Sequence, residues 1–287
     1  MIEYPQHLHL TAAYIREKIA LFLKEDIPDG DKTTQATISG ETEISAHIIA
    51  VEDLVFAGEK IIPECFGDSC NISNLKKDGA LLKKGEIIGL VTGAANTILS
   101  RERVMLNLVQ RLCGIAFQTR KYVEIAAPNH VKILDTRKTT PGLRLFEKYA
   151  VAVGGGYNHR LDLSSGILIK DNHIVAAGSV VKAIQKARSQ NQELPLELEV
   201  DTLAQIGDAL SIGVDGILLD NMERNEIFEA VNLIRNSPRG EEIFIEASGG
   251  ITLKNLSQYV DTGINAVSVG ALTHGVKSKD IRLEFLS

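Results

Sequence analysis

The chain has 287 residues, of which 44% are hydrophobic and 24% charged, and its formal net charge is −6 at pH 7. This length and apolar content allow one large domain, or a large domain and a small one, with a sizeable core. The acidic balance argues against a nucleic-acid-binding protein, which would normally carry a basic face.

No sequence feature predicts export or membrane insertion. No run approaches the roughly 18 apolar residues of a membrane span, and the first residues lack the basic and then apolar stretch of a secretory signal. The three cysteines, Cys65, Cys70 and Cys113, cannot all pair and lack the spacing of a zinc site. We therefore expect reduced thiols and a cytoplasmic protein.

The N-terminal third predicts a small α+β domain. Residues 11–25 carry apolar side chains at near-helical spacing, with Thr11 as the N-cap, and residues 26–34 are rich in turn formers. Alternating polar and apolar residues predict strands over 43–57 and two short strands over 80–93. A free-standing binding domain is equally compatible with this pattern.

A long helical pattern follows over residues 98–126, either continuous or broken at Gly114. Arg103 lies on its polar side, and the residues alone favour a solvated helix face for it.

Beyond residue 131 the pattern changes to short apolar runs, each followed by a helical stretch. The runs are VKILD, YNHRL after a triple-glycine turn, GILIKD, LELEVD, GILLDN, EIFIEAS and AVSVG. Such strands predict a parallel sheet covered on both faces. Their polar residues gather at the carboxyl ends, where α/β barrels build a site from several strands, whereas an open sheet uses one switch point. We therefore predict an incomplete, about seven-stranded α/β barrel.

The predicted organisation is an N-terminal α+β sandwich domain over 1–115 and an α/β-barrel catalytic domain over 116–275. The tail, about 276–287, returns to alternation and is expected to add a strand to the N-terminal domain.

The stretch from Asp135 to His173 reverses the sign of the chain's charge, because it holds six lysine or arginine residues against four carboxylates. Some of these cations directly follow apolar runs, as Lys170 follows GILI, where a charge is costly unless an opposite charge meets it. The simplest partner is a polyanionic small molecule. For any single cation the alternative is a salt bridge to Asp135 or Asp171.

The chain resembles the quinolinate phosphoribosyltransferase (carboxylating nicotinate-nucleotide pyrophosphorylase) family in eight segments. In the family's order they are ERVMLN (102–107), DTRKTTPGLR (135–144), GGG-Y-NHRL (154–161), LIKDNHI (168–174), LEVD (198–201), LLDN (218–221), EASGGI (246–251) and SVGALTH (268–274). Because they span most of the chain from about residue 25 onward, the signal is far more specific than a single motif.

The resemblance implies an enzyme, a pentosyltransferase that moves the phosphoribosyl group of phosphoribosyl pyrophosphate (PRPP) to quinolinate with decarboxylation. The products would be nicotinate mononucleotide, carbon dioxide and pyrophosphate, in de novo NAD biosynthesis. Quinolinate carries about two negative charges at neutral pH, and planar guanidinium groups match carboxylate and phosphate forks.

The family's cations map onto the matching motifs of this chain. The residues expected to bind quinolinate are Arg103, Arg137, His159 and Arg160. Arg103 would reach the site of a neighbouring subunit, which implies a homodimer or a hexamer of dimers. Lys138 and Lys170 are expected to act catalytically between the dicarboxylate and the pyrophosphate.

Two carboxylates at strand ends, Glu199 and Asp220, are expected to stabilise the oxocarbenium-like transition state and to share Mg²⁺ with pyrophosphate. Glu197 and Asp201 are rival candidates on the same strand face, with hydrogen bonding inside the barrel as the alternative. A structural role for Glu246 is as well supported as a functional one. No organic cofactor is expected.

The 5′-phosphate is expected to bind at turns after the last two strands, where backbone N–H groups meet the starts of helices. The residues predicted for this site are Ser248, Gly249, Gly250, Ser268, Gly270 and His274. For His274 a plain surface turn is nearly as well supported.

The chain departs from the family pattern at Asp162, where glycine is usual and where a carboxylate could pair with Arg160. A molybdenum-transport-associated relative of the same fold shares DTRKT and HRL but tends to lack LIKDNH, so Lys170 argues against it. A non-catalytic phosphate-binding barrel would not need Arg103, Arg137 and Arg160 together. Partners other than the small-molecule substrates and the chain itself, such as nucleic acid or a membrane, are not expected.

Overall fold

The structure, a computed structural model, describes residues 2–286. The strands are β1 (Glu43–Ala50), β2 (Leu54–Val55), β3 (Cys70–Ser73), β4 (Leu81–Leu82), β5 (Ile87–Ala94), β6 (Lys132–Leu134), β7 (Ile167–Ile169), β8 (Leu196–Val200), β9 (Gly216–Asp220), β10 (Phe244–Ser248), β11 (Ala266–Ser268) and β12 (Ile281–Phe285). The α-helices are α1 (Ala12–Asp26), α2 (Lys32–Thr37), α3 (Ile61–Phe66), α4 (Ala95–Ala126), α5 (Arg144–Val153), α6 (Asp171–Ala177), α7 (Val180–Gln190), α8 (Leu203–Ile212), α9 (Arg224–Arg235) and α10 (Ala271–His274).

The chain forms two compact units. The N-terminal unit contains His7–Arg120, Leu145–Gly155 and residues 275–286. The barrel unit contains residues 2–6, Lys121–Arg144 and Gly156–His274. The domain limits expected near residues 115 and 276 stay a prediction.

The N-terminal unit is built on an antiparallel sheet with the order β12-β1-β5-β3. The strand expected in the tail is β12, which pairs with β1 so that Ile281 lies opposite Ala50. The two strands expected over 80–93 are β4 and β5, but β4 pairs with β2 rather than with β5. This pairing buries Leu54 and Leu82, and burial of leucine side chains stabilises the fold.

The predicted first helix is confirmed, and the loop after it needs a correction. The Thr11 hydroxyl accepts a hydrogen bond from the N–H of Tyr14 at 3.3 Å, as an N-cap does. The expected loop over residues 26–34 ends early, because α2 begins at Lys32. Asp31 caps that helix by accepting from the N–H of Thr34 at 3.0 Å.

Helix α4 runs through Gly114 without a break. A Cβ atom at this position would lie 2.4 Å from the carbonyl oxygen of Lys277, so any side chain would collide with the C-terminal segment. The glycine therefore permits close packing inside the N-terminal unit rather than a kink in the helix.

The N-terminal unit also buries charged groups around α5. Glu147 is fully buried, and its Oε1 accepts hydrogen bonds from Arg111 Nη2 at 2.6 Å and Nε at 2.8 Å. Tyr149 donates a hydrogen bond to Asp78, and burial raises the pKa of the Tyr149 phenol. Buried charges are tolerated only when they are paired in this way.

The barrel unit contains a parallel sheet of six strands with the order β6-β11-β10-β9-β8-β7. Strands β9 and β10 are buried at every residue except the last, which explains why their sequences read as continuous apolar runs. The polar last residues, Asp220 and Ser248, lie directly opposite each other in the parallel register. The incomplete α/β barrel is confirmed.

The seventh expected strand, YNHRL, is reduced to a single parallel bridge between Tyr157 and Leu134. The ladder stops there because the next two N–H groups bond to side chains. The N–H of Asn158 donates to Gln6 Oε1 at 2.7 Å, and that of His159 donates to Asp135 Oδ1 at 2.9 Å. Over the residues that the structure describes, no strand joins this segment to β7, so the sheet does not close.

Within residues 2–286, no helix has both the length and the apolar content to cross a membrane. The three cysteines are unpaired. Burial raises the pKa of the Cys65 and Cys113 thiols to about 12, which suppresses thiolate chemistry at both.

Candidate active site

A cavity of about 360 Å³ lies at the carboxyl ends of the barrel strands. Its lining residues are Asp135, Thr136, Arg137, Lys138, His159, Arg160, Leu168, Lys170, Glu199, Leu218, Asp220, Glu246, Ser248 and Ser268. Each of the six parallel strands contributes a residue at or next to its carboxyl end to this lining, which is where α/β barrels place their active sites.

Nine of the residues predicted for the site line this cavity, namely Arg137, Lys138, His159, Arg160, Lys170, Glu199, Asp220, Ser248 and Ser268. Five others do not line it. Arg103 is exposed on α4 in the N-terminal unit. Gly249, Gly250, Gly270 and His274 follow the strand ends, and Gly270 lies beside Lys138, whose Cδ would be 3.0 Å from a Cβ built on the glycine.

Two guanidinium groups, together with the ammonium groups of Lys138 and Lys170, give the cavity its positive charge. Arg160 is only 6% exposed, and its Nη1 donates to the carbonyl of Gly166 at 2.9 Å. Burial and the neighbouring charge of Arg137 lower the pKa of Arg160. The Nε of Arg137 is buried and has no hydrogen-bond partner among residues 2–286. Two neighbouring cations, one buried and one partly buried, are unfavourable alone, so the arrangement suits an anion with two negative groups.

Lys170 and the predicted catalytic carboxylates lie on the opposite strands of the cavity. The Lys170 ammonium forms a hydrogen-bonded ion pair with Glu199, rather than the alternative salt bridge to Asp135 or Asp171. Asp220 ends the next strand and accepts a hydrogen bond from Asn221 Nδ2 at 2.7 Å. Carboxylate oxygens from two neighbouring strands are a ligand set that Mg²⁺ accepts.

Asp135 organises the segment that carries His159 and Arg160. It is fully buried, and it accepts hydrogen bonds from Asn158 Nδ2 at 2.7 Å and from the N–H of His159 at 2.9 Å. Because the segment has no complete strand ladder, these bonds fix its backbone in place.

The ring of His159 is held inside the barrel by both of its nitrogens. Its Nδ1 accepts from the N–H of Arg160 at 2.7 Å, so Nε2 carries the ring proton and faces Glu197 Oε2 at 3.2 Å. Glu246 Oε2 is 3.6 Å from the same nitrogen. Glu197 is therefore part of a buried cluster, which is the alternative considered for it, while the other rival, Asp201, is exposed.

The two buried carboxyl groups of this cluster have raised pKa values. Burial, with the nearby carboxylate of Glu197, raises the pKa of Glu246 to about 8, and burial raises the pKa of Glu197 to about 7. At pH 7 Glu246 is therefore mostly neutral, whereas Glu199 in the same cavity is paired with the Lys170 ammonium.

We expect this cluster to lower the unfolding free energy as the pH rises. Since the folded-state pKa of Glu246 is above its ordinary value near 4.5, the folded protein binds the extra proton between these pKa values, and raising the pH through about 8 removes that stabilisation. We expect the unfolding free energy of Glu246→Gln to fall less steeply than that of the wild type between about pH 5.5 and 8.5, by on the order of 1–2 kcal/mol. Urea unfolding at both pH values measures this, and parallel slopes in the two proteins would contradict it.

Asp162, the residue that departs from the family pattern, bonds to the two serines of the turn that follows it. Its Oδ1 accepts hydrogen bonds from Ser165 Oγ at 2.6 Å and from Ser164 Oγ at 2.7 Å. The bonds from Ser165 and Ser164 lower the pKa of Asp162 to about 2. Asp162 therefore shapes the turn before β7, where a glycine would leave the chain more flexible.

The turn after β10 needs a correction. The residues after Gly250 were expected to start a helix, but they form only a 3-10 segment, Leu256–Gln258. Gly249 has φ +94°, and a Cβ atom there would lie 2.2 Å from Asn221 Oδ1, so only glycine fits. The turn after β11 precedes the short helix α10. The phosphate-binding role of both turns stays a prediction.

The sequence did not identify several residues that line the cavity or contact its lining. Thr136 lies in the quoted DTRKTT motif, and its hydroxyl accepts from the N–H of Lys138 at 3.0 Å. Glu246 was left undecided, although its place at the end of EIFIE was a signal. Tyr4 and Gln6 contact the site segment from residues 2–6, a stretch too short to show any periodicity.

Together, the incomplete parallel barrel and a strand-end cavity with paired cations and carboxylates define an enzyme of the α/β-barrel class that acts on a polyanionic small molecule. Comparison with known proteins refines this class. The family described as "Quinolinate phosphoribosyl transferase, C-terminal domain" matches residues 115–284, and the corresponding N-terminal domain matches residues 31–113. The chain belongs to the quinolinate phosphoribosyltransferase family.

Individual relatives agree with this assignment. The chain is 47% identical to a probable nicotinate-nucleotide pyrophosphorylase [carboxylating] of Bacillus subtilis, over 92% of this chain and 90% of the relative. It is 42% identical to the Mycobacterium leprae enzyme of that name, over 94% and 96%. It is similar to the crystal structure of NadC from Streptococcus pyogenes, with a TM-score of 0.91 and 40% identity over 97% of this chain and 99% of that one.

Proposed function

We propose that the cavity of the barrel unit carries out the family's reaction, the transfer of a phosphoribosyl group from PRPP to quinolinate with decarboxylation. The observation that carries this proposal is the pair of guanidinium groups in the cavity, the buried Arg160 and the partly buried Arg137, whose charges oppose each other until a dianion binds between them. A single phosphate or carboxylate would not need both.

In this reaction the two guanidinium groups hold the carboxylates of quinolinate, and Lys138 and Lys170 lie between them and the pyrophosphate of PRPP. Since the pyridine nitrogen is the nucleophile, the protein contributes positioning and electrostatics rather than a covalent intermediate. The bond from the nitrogen to the anomeric carbon forms, and the bond from that carbon to pyrophosphate breaks.

Loss of the 2-carboxylate follows from the charge on the ring. Once the nitrogen is ribosylated it is positive, so the electron pair left at C2 when carbon dioxide departs is stabilised next to it, and C2 then takes a proton. Binding the 3-carboxylate firmly while leaving the 2-carboxylate able to depart promotes this step.

Glu199 and Asp220 are the residues that would hold Mg²⁺ and the ribose hydroxyls. Both line the cavity from neighbouring strands, and carboxylate oxygens are the donors that Mg²⁺ prefers. The ion, when bound, neutralises part of the charge of the pyrophosphate leaving group. The ion pair of Glu199 with Lys170 holds the carboxylate in position before substrates arrive.

Turnover tests the proposed function directly. Purified protein with Mg²⁺ and PRPP should form nicotinate mononucleotide and carbon dioxide from quinolinate, and no product from nicotinate in a parallel tube. Product from nicotinate would refute the dicarboxylate site. Failure in both tubes by a folded protein would favour the transport-associated relative.

We further propose a homodimer in which Arg103 completes the neighbouring site, and a cytoplasmic location. The exposed position of Arg103 on α4 supports the first proposal, and the unpaired thiols support the second. Arg103→Ala and Arg137→Ala should each be inactive alone. Mixed by co-refolding, they should regain about a quarter of the wild-type activity, because half of the dimers are mixed and each has one intact site. No regain would refute the shared site.

A further inference from the structure

The barrel unit has an opening between two of its elements, and the segment of residues 2–6 lies across it. On one side of the opening is the segment around Asn158, which makes a single bridge to its neighbour; on the other side is β7. The side chain of Gln6 bonds the first side, since its Oε1 accepts from the N–H of Asn158 at 2.7 Å and its Nε2 donates to the Asn158 carbonyl at 3.2 Å. Tyr4 packs against Gly166, the residue before β7.

Residues 2–6 pack closely against the rest of the barrel unit, next to two glycines. Ile2 is buried in an apolar cluster that includes Leu134 and Phe244, and Tyr4 packs against the same cluster. Two glycines leave the space, because a Cβ atom on Gly216 would lie 2.6 Å from Ile2 Cδ1 and one on Gly166 would lie 2.9 Å from the Tyr4 ring. Such close contacts are typical of a segment that is packed into the fold rather than of a poorly ordered one.

Tyr4 contacts the cavity lining through the ring of His159. The two rings are stacked, with their centroids 4.9 Å apart and an angle of 27° between their planes. The same His159 ring accepts from the N–H of Arg160, whose guanidinium bonds the Gly166 carbonyl next to Tyr4. Tyr4 therefore contacts one cavity residue, His159, and packs next to the bond of another, Arg160, although Tyr4 itself is not among the lining residues.

We propose that Tyr4 and Gln6 are positioning residues for the substrate dicarboxylate. Tyr4 fixes the ring of His159 and, through it, the backbone of Arg160, while Gln6 replaces the missing strand ladder of the Asn158 segment. The inference rests on the proposed function, because it assigns these residues to the part of the cavity that holds quinolinate and not to the part that holds PRPP.

The ring of Tyr4, and not its hydroxyl, carries this role. The hydroxyl oxygen is buried and has no hydrogen-bond partner among residues 2–286. Replacing it with hydrogen leaves no group newly unsatisfied, so Tyr4→Phe should retain the wild-type behaviour. Tyr4→Ala removes the stacking surface, and Gln6→Ala removes both bonds to Asn158.

The experiment measures quinolinate binding by titration calorimetry and steady-state kinetics with each substrate varied in turn. Tyr4→Ala should raise both the Kd and the KM for quinolinate about tenfold, and Gln6→Ala should raise them severalfold, while the KM for PRPP stays within about twofold. Tyr4→Phe should retain the wild-type Kd and KM values for quinolinate. Glu3→Gln is the matched control in the same segment, because the Glu3 side chain is 78% exposed and lies 4.0 Å from Lys132, outside the cavity lining.

The binding and kinetic results separate a failure of the positioning role from a failure of the proposed reaction. Unchanged quinolinate binding in both alanine variants, or equal losses for both substrates, would overturn the inference. If Tyr4→Ala does not fold, the Kd and KM values of Gln6→Ala and Tyr4→Phe for quinolinate test the positioning role instead. A wild-type protein that binds quinolinate without turnover would overturn the proposed reaction while the Kd values still judge the positioning role, and one that binds none would overturn both.

Discussion

Arg137→Ala is expected to lower kcat/KM for quinolinate by about a hundred- to a thousandfold, since a charge-assisted contact to a substrate carboxylate is lost. The Nε of Arg137 is already desolvated without a partner, so the substrate meets a group that gives up no protein hydrogen bond on binding. Arg137→Lys keeps the charge but loses the planar fork, and it should recover only part of the activity.

Steady-state kinetics with quinolinate and PRPP varied separately measures this effect. The KM for PRPP should stay near the wild-type value, and a rise in that KM alone would assign Arg137 to the phosphoribosyl donor instead. Arg224→Ala is a suitable control, because Arg224 is half-exposed and paired with Asp261 at 2.8 Å, outside the cavity lining.

Arg111→Ala is expected to lower the unfolding free energy of the N-terminal unit by about 3–5 kcal/mol, because the fully buried Glu147 loses the cation that compensates its charge. The size of this effect comes from burial and not from the ion pair as such. Lys83→Ala breaks a pair with Asp53 of similar length, 2.8 Å, but both side chains are largely exposed, so the loss there should be below about 1 kcal/mol.

Urea unfolding followed by circular dichroism distinguishes the two variants. The double variant Arg111→Met with Glu147→Leu replaces both charges by apolar groups and should recover most of the lost stability. Equal small losses in Arg111→Ala and Lys83→Ala would show that Glu147 is stabilised by other groups.

Most of the barrel's site was predictable because two independent rules agreed. Parallel strands read as continuous apolar runs, and polar residues such as Asp220 and Ser248 end them, so the barrel places these residues together whatever the loops do. The cations Arg137 and Arg160 were found because their motifs matched a family. Their meeting in one cavity is a property of the packing alone.

The contributions that escaped prediction are those made by single contacts between distant parts of the chain. Nothing in the sequence couples Gln6 to Asn158, or Arg111 to Glu147, because each pair depends on tertiary placement and not on periodicity. The expected helix after Gly250 failed for a local reason. The Asn255 side chain accepts from the N–H of Thr252 at 2.6 Å and holds a tight turn there instead of a helix.

The antiparallel sheet of the N-terminal unit can be completed only after β12 has been synthesised. The partner of β12 in the sheet is β1, so Ile281 can pair with Ala50 only after all the strands of the barrel unit, which lie between them in the sequence, have been synthesised. Until then β1 has a free edge, which is the kind of surface that pairs wrongly with other chains. Such a distant pairing slows folding, and nascent chains stopped before β12 would depend on chaperones more than the finished protein does.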